Sequence, residues 1–120
     1  MASFNVPLRV DQGTDYTKRT TWKTGATPTP VDLTGCTAEA HLRPTINSTT
    51  KLLTLSTADG SILLGGIAGT VEIVFTPEMT EGVTWRNAVY DLEVTFPAGT
   101  KRRLMHGPVT LSPEVTRDDI

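Results

Sequence analysis

Cysteine, long apolar runs and excess positive charge are all scarce in this chain, and each scarcity excludes a class of protein. The single cysteine, Cys36, cannot form an internal disulfide, so no disulfide staples the fold. No apolar run approaches the ~18–20 residues of a membrane span. A net charge of -2 gives no electrostatic case for binding nucleic acid or an anionic membrane. The N-terminus lacks the basic and apolar stretches of a secretory signal, so we expect synthesis and folding in a cytoplasm.

The chain is rich in threonine, proline and glycine, residues that do not favour helices. Threonine occurs 22 times in 120 residues, and its β-branched side chain suits the half-exposed face of a sheet. The 8 prolines and 10 glycines interrupt the chain at short intervals and leave little room for helices. No linker or internal repeat is visible. The sequence therefore predicts one all-β domain spanning residues 1–120.

Two segments alternate most clearly between apolar and polar residues, as strands with one buried face do. They cover residues 70–76 and 89–96. Similar but shorter patterns bring the total to about eight strands, spaced roughly 8–12 residues apart, which is typical of a β-sandwich or barrel. We predict two packed, mostly antiparallel sheets and at most one short helix, around residues 77–82. The core is predicted to contain these side chains: Trp22, Val71, Ile73, Phe75, Tyr90, Leu92, Val94 and Phe96.

No constellation of catalytic, metal-ligating or cofactor-binding residues is evident. His41 and His106 lie on predicted strands far apart in sequence, and we expect each to be a solvent-facing sheet residue. Cys36 starts a strand, where we expect a small buried filler and not a nucleophile. The glycine-rich stretch 65–69 leads into a strand and not into a helix, so a hairpin turn is favoured over a phosphate cradle. We therefore expect no enzyme activity, no cofactor and no metal.

The order of several short motifs resembles small structural proteins of tailed bacteriophages and prophages. The resemblance extends from about residue 8 to residue 117, and the order and spacing of the motifs carry it more than any single one. In chain order the motifs are Asp11-Gln12-Gly13-Thr14, Thr20-Thr21-Trp22, Val31-Asp32-Leu33-Thr34-Gly35, Gly69-Thr70-Val71-Glu72-Ile73, Val89-Tyr90-Asp91-Leu92-Glu93 and Gly107-Pro108-Val109-Thr110-Leu111-Ser112-Pro113-Glu114-Val115-Thr116-Arg117. The chain departs from the pattern at Cys36, where an aromatic residue is commoner.

This resemblance implies a non-enzymatic virion protein with a single immunoglobulin-like β-sandwich. Similar modules serve as tail or baseplate adaptors that seat fibres or spikes, and this is the function we expect. A head-decoration protein on the capsid is the alternative, and a carbohydrate- or protein-recognition module is a more distant one. The implied partners are other virion proteins in a symmetric multi-copy assembly.

Edges, hairpin tips and terminal segments are the surfaces that a small sandwich has available for partners. Residues 1–10 form either an N-terminal arm or an edge strand, and residues 113–120 form a polar C-terminal tail. A basic hairpin tip follows residue 100 and adds charge for an acidic neighbour. The residues predicted to contact a partner are Phe4, Val6, Leu8, Arg102 and Arg103.

Overall fold

Eleven strands make up most of the computed structural model, which describes residues 4–25 and 27–113. The strands are β1 (Phe4–Asn5), β2 (Leu8–Asp11), β3 (Tyr16–Thr21), β4 (Lys23–Thr24), β5 (Thr29–Pro30), β6 (Thr37–Arg43), β7 (Leu53–Ser56), β8 (Ile62–Leu64), β9 (Thr70–Phe75), β10 (Asn87–Thr95) and β11 (Lys101–Ser112). Three of them, β1, β4 and β5, have two residues each, and the other eight match the predicted number.

The strands form two main sheets and one small hairpin. The larger sheet has the order β1-β11-β10-β6-β7, with β2 also paired to β11. The smaller sheet has the order β3-β9-β8, and β4 pairs with β5. All described pairings are antiparallel except those of β1 and β2, which run parallel to β11. The all-β, mostly antiparallel fold predicted from the sequence is thus confirmed.

Inward-facing side chains of both main sheets share one core. Seven of the eight predicted core residues are buried, with Trp22 and Leu92 no more than 1% exposed. The exception is Phe96, which is half-buried because it lies just beyond the end of β10. Its ring packs against Trp22, with a centroid separation of 6.0 Å. The alternation of apolar residues therefore identified the core face correctly.

The turn between β7 and β8 carries the chain from one sheet to the other. Asp59 and Gly60 mark a turn in the sequence, but β7 pairs with β6 whereas β8 pairs with β9. A carboxylate oxygen of Asp59 accepts a hydrogen bond from the amide of Ser61 at 2.9 Å, and the backbone amide of Ser56 donates to the Ser61 hydroxyl at 2.9 Å. The Ser61 hydroxyl donates to the same Asp59 oxygen, and this bond, together with the one from the Ser61 amide, holds the pKa of Asp59 below its ordinary value. The crossover is therefore fixed by local hydrogen bonds.

A β-bulge interrupts the pairing of β10 with β11. Leu92 lies opposite Met105, but the next residue of β10, Glu93, lies opposite Arg103. Leu104 is the extra residue, and both Leu104 and Met105 are buried. Bulges of this kind place two residues of one strand against one residue of the other. The bulge thus adds Leu104 to the core beside Met105.

Gln12 joins the turn after β2 to the only α-helix among the described residues, α1 (Pro77–Thr80). Its side-chain amide donates to the carbonyls of Thr80 and Val83, each at 2.9 Å. The backbone amide of Gly13 donates to the Thr80 hydroxyl at 2.8 Å. These bonds satisfy carbonyls that a helix end leaves without partners. The helix is a single turn, and no helix in the described part of the chain has the length and apolar character needed to cross a membrane.

Candidate protein-binding face

The outward-facing side chains of β6, β10 and β11 form a continuous surface, which we call the outer face. Successive strand residues face opposite sides of a sheet. The alternation that buries Leu42, Leu92 and Val109 therefore places their neighbours on the outer face. Because the strands are paired in register, these neighbours align in rows that cross the sheet.

One row of polar side chains crosses the middle of the outer face. Asp91 of β10 pairs in register with His41 of β6 on one side and with His106 of β11 on the other. Asn5 of β1 lies beyond His106. In the described part of the chain, no three His, Cys, Asp or Glu side chains are grouped to hold a metal ion. The fold brings together two histidines that are far apart in sequence, and the row offers a ligand both donors and acceptors of hydrogen bonds.

Hydrogen bonds along β6 determine which nitrogen of His41 carries the proton. Its Nε2 lies 2.9 Å from a carboxylate oxygen of Glu39, and its Nδ1 lies 3.3 Å from a guanidinium nitrogen of Arg43. A guanidinium only donates, so Nδ1 accepts and the proton sits on Nε2, facing Glu39. This bond from His41 holds the pKa of Glu39 below its ordinary value. Arg43 also donates to the Ser48 carbonyl at 3.0 Å, which fixes its position.

A groove of about 400 Å³ adjoins the central row, and we call it the central groove. Its polar lining includes Arg43, Arg103, Asp91 and the two histidines. Arg103 is exposed and has no hydrogen-bond or ion-pair partner among the described residues, although Glu93 lies opposite it on β10. The groove therefore contains one guanidinium that is held in place and one that is free to bind a ligand.

Part of the lining of the central groove is apolar. Ile46, on the loop after β6, is 79% exposed. Val89 and Pro108 lie opposite each other on β10 and β11 and line the same groove. Single exposed apolar residues are ordinary on protein surfaces, but a group beside arginine is typical of protein–protein interfaces. The composition of the groove thus suits a protein ligand.

Three of the predicted contact residues, Phe4, Arg102 and Arg103, are exposed and lie at neighbouring positions of β1 and β11. Phe4 of β1 lies beside Met105, two residues along β11 from Arg103. Phe4 is 41% exposed, and both Arg102 and Arg103 are exposed. Of the two arginines only Arg103 lines the groove, because Arg102 precedes it on the strand and faces the opposite side. Contact of these residues with a partner stays a prediction.

Leu8 requires a correction, because the structure places it in the core. β2 pairs with β11 so that Leu8 lies opposite Val109, and the side chain of Leu8 is fully buried. It is therefore unavailable to a partner in this fold. Val6, which lies between β1 and β2, is half-buried and packs against the core. Residues 4–11 thus form an edge of the chain's own sheet. The predicted tail, apart from Pro113, lies outside the described residues.

Two hydrogen bonds hold the segment between β1 and β2 against the larger sheet. The amide of Val6 donates to the carbonyl of His106 at 2.8 Å, and the hydroxyl of Tyr90 donates to the carbonyl of Val6 at 2.6 Å. Gly107 allows the close approach, since a Cβ atom there would lie only 2.9 Å from the Val6 carbonyl oxygen. Burial raises the pKa of Tyr90, with a smaller contribution from the charge of nearby Tyr16. The phenol is therefore kept protonated as a donor.

Cys36 lies at a second groove of the larger sheet, of about 530 Å³, which Glu93 and Lys101 also line. The thiol is half-buried and not fully buried. Burial raises its pKa, and the nearby charge of Asp32 adds to this effect. Because the thiolate is the reactive form of cysteine, these effects make the thiol less reactive.

The central groove was not identified from the sequence, although the solvent-facing position of some of its residues was predictable. Alternation along the strands assigns His41, Arg43 and Asp91 to the solvent side, but it does not say which strands are neighbours. Ile46 lies in a loop, where no periodicity applies.

Comparisons with protein-family models and with curated proteins found no match to this chain.

Proposed function

We propose that this protein is a non-enzymatic structural component of a bacteriophage virion, where it serves as a tail or baseplate adaptor that seats fibres or spikes. The resemblance of its motifs to such proteins, from about residue 8 to residue 117, is the first support. Two residues of these motifs have defined roles here: Gln12 holds the end of α1, and Trp22 fills the core. The immunoglobulin-like type of sandwich is part of the same proposal.

The observation that carries the proposal is the accessible surface at one end of the larger sheet. Arg103 lines the central groove, which combines apolar and arginine side chains. Phe4 and Arg102 are exposed at neighbouring positions of β1 and β11 but do not line the groove. Arginine and aromatic residues are enriched in the parts of interfaces that contribute most to binding. β3, β7 and β8 lie at sheet ends, where each pairs on one side only among the described residues, and such an edge can pair with a neighbouring chain. An adaptor needs more than one contact surface, and this arrangement provides them.

The proposed partners are other virion proteins in a symmetric multi-copy assembly. No catalytic residue, cofactor, metal, nucleic acid or membrane forms part of the proposal. The protein would be made in the cytoplasm of the host and would reside in the virion.

Locating the protein in purified particles tests this proposal. Mass spectrometry of virions from the phage or prophage that encodes the chain should detect it at a fixed ratio to the other structural proteins. Immunogold labelling should place it at the distal end of the tail. Labelling spread over the head would instead support the decoration alternative. Absence from virions, together with binding to a glycan array, would support the recognition module and refute a virion role.

A further inference from the structure

We propose that the central groove binds an acidic segment of a partner protein, in which carboxylates are interspersed with apolar side chains. The inference goes beyond the proposed function, on which it rests only in that the partner is a virion protein. Three features support it: the charge of the groove lining, the lack of an ion-pair partner for Arg103 among the described residues, and the apolar part of the lining.

The charge of the lining favours an anion. Arg43 and Arg103 contribute two positive charges and Asp91 contributes one negative charge, which leaves one positive charge in excess. Since the Nδ1 atom of His41 is already bonded to Arg43, both groups form a fixed unit at one side of the groove. A carboxylate is the ligand group that such a lining recognises most directly.

Arg103 is the residue that determines specificity in this proposal. Its side chain is exposed, and it pairs with no carboxylate of the described chain even though Glu93 lies opposite on β10. The planar guanidinium presents donors in a geometry that matches a carboxylate. A partner's Asp or Glu therefore finds a donor group that no carboxylate of the described residues occupies.

The apolar lining distinguishes an acidic peptide from a free anion. Ile46 is 79% exposed, and Val89 and Pro108 lie opposite each other in the groove. A small anion would leave this apolar surface in water, whereas an apolar side chain flanking a carboxylate would cover it. Each covered side chain adds binding free energy in proportion to the apolar area removed from water. The groove therefore favours a segment that carries both kinds of side chain.

The chain offers two matched pairs of variants for the test. Arg103→Glu changes the groove, while Arg102→Glu makes the same charge change on the opposite side of the same strand. Ile46→Ser removes the exposed apolar group, while Ile67→Ser does so at a residue that is 77% exposed in the turn between β8 and β9, which belong to the smaller sheet. All four positions are exposed, and circular dichroism and thermal unfolding will verify that the variants fold.

The probe is a fluorescein-labelled extended peptide in which glutamates alternate with leucines, titrated with the full chain and followed by fluorescence anisotropy. A control peptide carries glutamine in place of glutamate. We expect Arg103→Glu to weaken binding by about fivefold or more, because Arg103 would contact the peptide directly. We expect Arg102→Glu to weaken it by less than about twofold, because Arg102 faces the other side of the strand. We expect Ile46→Ser, but not Ile67→Ser, to weaken binding as well. Amide resonances around Asp91 should shift on titration, and those of β3 should not.

Several results would overturn the inference. These are no binding of the acidic peptide, equal binding of the glutamine peptide, equal effects of the two arginine variants, or Arg103-dependent binding of an anionic polysaccharide alone. The proposed function fails separately: if the chain is absent from virions while the peptide still binds at the groove, only the virion role is refuted. If the chain is present in virions and Arg103→Glu incorporates normally without any peptide binding, only the groove inference is refuted.

Discussion

Replacing Gly107 with alanine should loosen the segment between β1 and β2 from the larger sheet. The new Cβ would lie 2.9 Å from the carbonyl oxygen of Val6 and 3.1 Å from its carbonyl carbon. Both atoms belong to the backbone, so no side-chain rotation relieves the contact. The segment has to retreat by about 0.5 Å to reach an ordinary van der Waals separation.

The cost follows from the bonds that the retreat disturbs, in addition to the strain of placing a side chain at Gly107, whose backbone φ is 156°. The Val6 amide donates to His106 at 2.8 Å, and Tyr90 donates to the Val6 carbonyl at 2.6 Å. A hydrogen bond of this kind contributes about 0.5–1.5 kcal/mol, so weakening two of them costs about 1–3 kcal/mol. If the segment stays in place, the overpacked contact itself costs about 1–3 kcal/mol. Either response gives a loss of similar size, although only the first one is local.

Amide hydrogen exchange measured by NMR separates the two responses. If the segment opens locally, the Val6 amide should exchange roughly 5- to 150-fold faster in Gly107→Ala, since each 1.4 kcal/mol corresponds to tenfold. The Leu92 amide, in the middle of β10, should then exchange as in the original chain. Gly82→Ala is the control, because a Cβ at Gly82 meets no atom within 4 Å and its backbone φ is not positive. We expect that control to change stability by less than about 0.5 kcal/mol.

An unchanged Val6 exchange rate together with an unchanged urea midpoint in Gly107→Ala would contradict this prediction. Such a result would mean that the segment does not approach β11 as closely as described. A fall in global stability without faster local exchange would instead indicate that the strain is borne in place.

Three further outcomes are expected. Leu92→Ala, at a fully buried position, should lower the free energy of unfolding by about 2–5 kcal/mol in urea titrations, and a loss under about 1 kcal/mol would contradict its place in the core. Gln12→Ala should cost about 1–3 kcal/mol, because carbonyls at the end of α1 lose their donor; a Gln12→Glu variant with the original stability would contradict this, since a carboxylate cannot donate. Burial raises the pKa of Tyr90 above the unfolded value of about 10, so the phenol of the unfolded chain loses its proton at a lower pH than the phenol of the folded chain. The stability that the protonated phenol gives to the folded state is therefore lost as the pH rises past about 10. The stability difference between the original chain and Tyr90→Phe should therefore shrink from pH 9 to pH 11, and a constant difference would show that the phenol is not buried.

Local patterns in the sequence were sufficient to predict the strands and most of the core. The alternation around Ile73 and Leu92 reflects a sheet with one buried face. β6 ends before Pro44 because a proline cannot donate a hydrogen bond to a sheet ladder. Pro77 fits the first turn of α1 because its missing amide hydrogen is not needed there.

Pairing between distant strands was not predictable in the same way. Asp59 and Gly60 identify a turn, but only long-range packing decides that the strands on its two sides join different sheets. Leu8 was assigned to a partner's surface because alternation shows that a face is buried without showing which chain buries it. The central groove depends on β6, β10 and β11 being neighbours. The paired residues of β6 and β10 are 46 to 58 positions apart in the sequence, so no local pattern predicts that they meet.

The bulge in β11 also selects which arginine the outer face presents. With regular pairing beyond Met105, Leu104 would lie opposite Glu93 on the outer face, and Arg103 would lie opposite the buried Val94. The extra residue reverses this parity, so that Leu104 enters the core and Arg103 faces the central groove. A single inserted or deleted residue near the start of β11 would exchange these two sides. The binding chemistry of the groove is thus linked to strand length as well as to side-chain identity, and related chains could alter it without substituting an arginine.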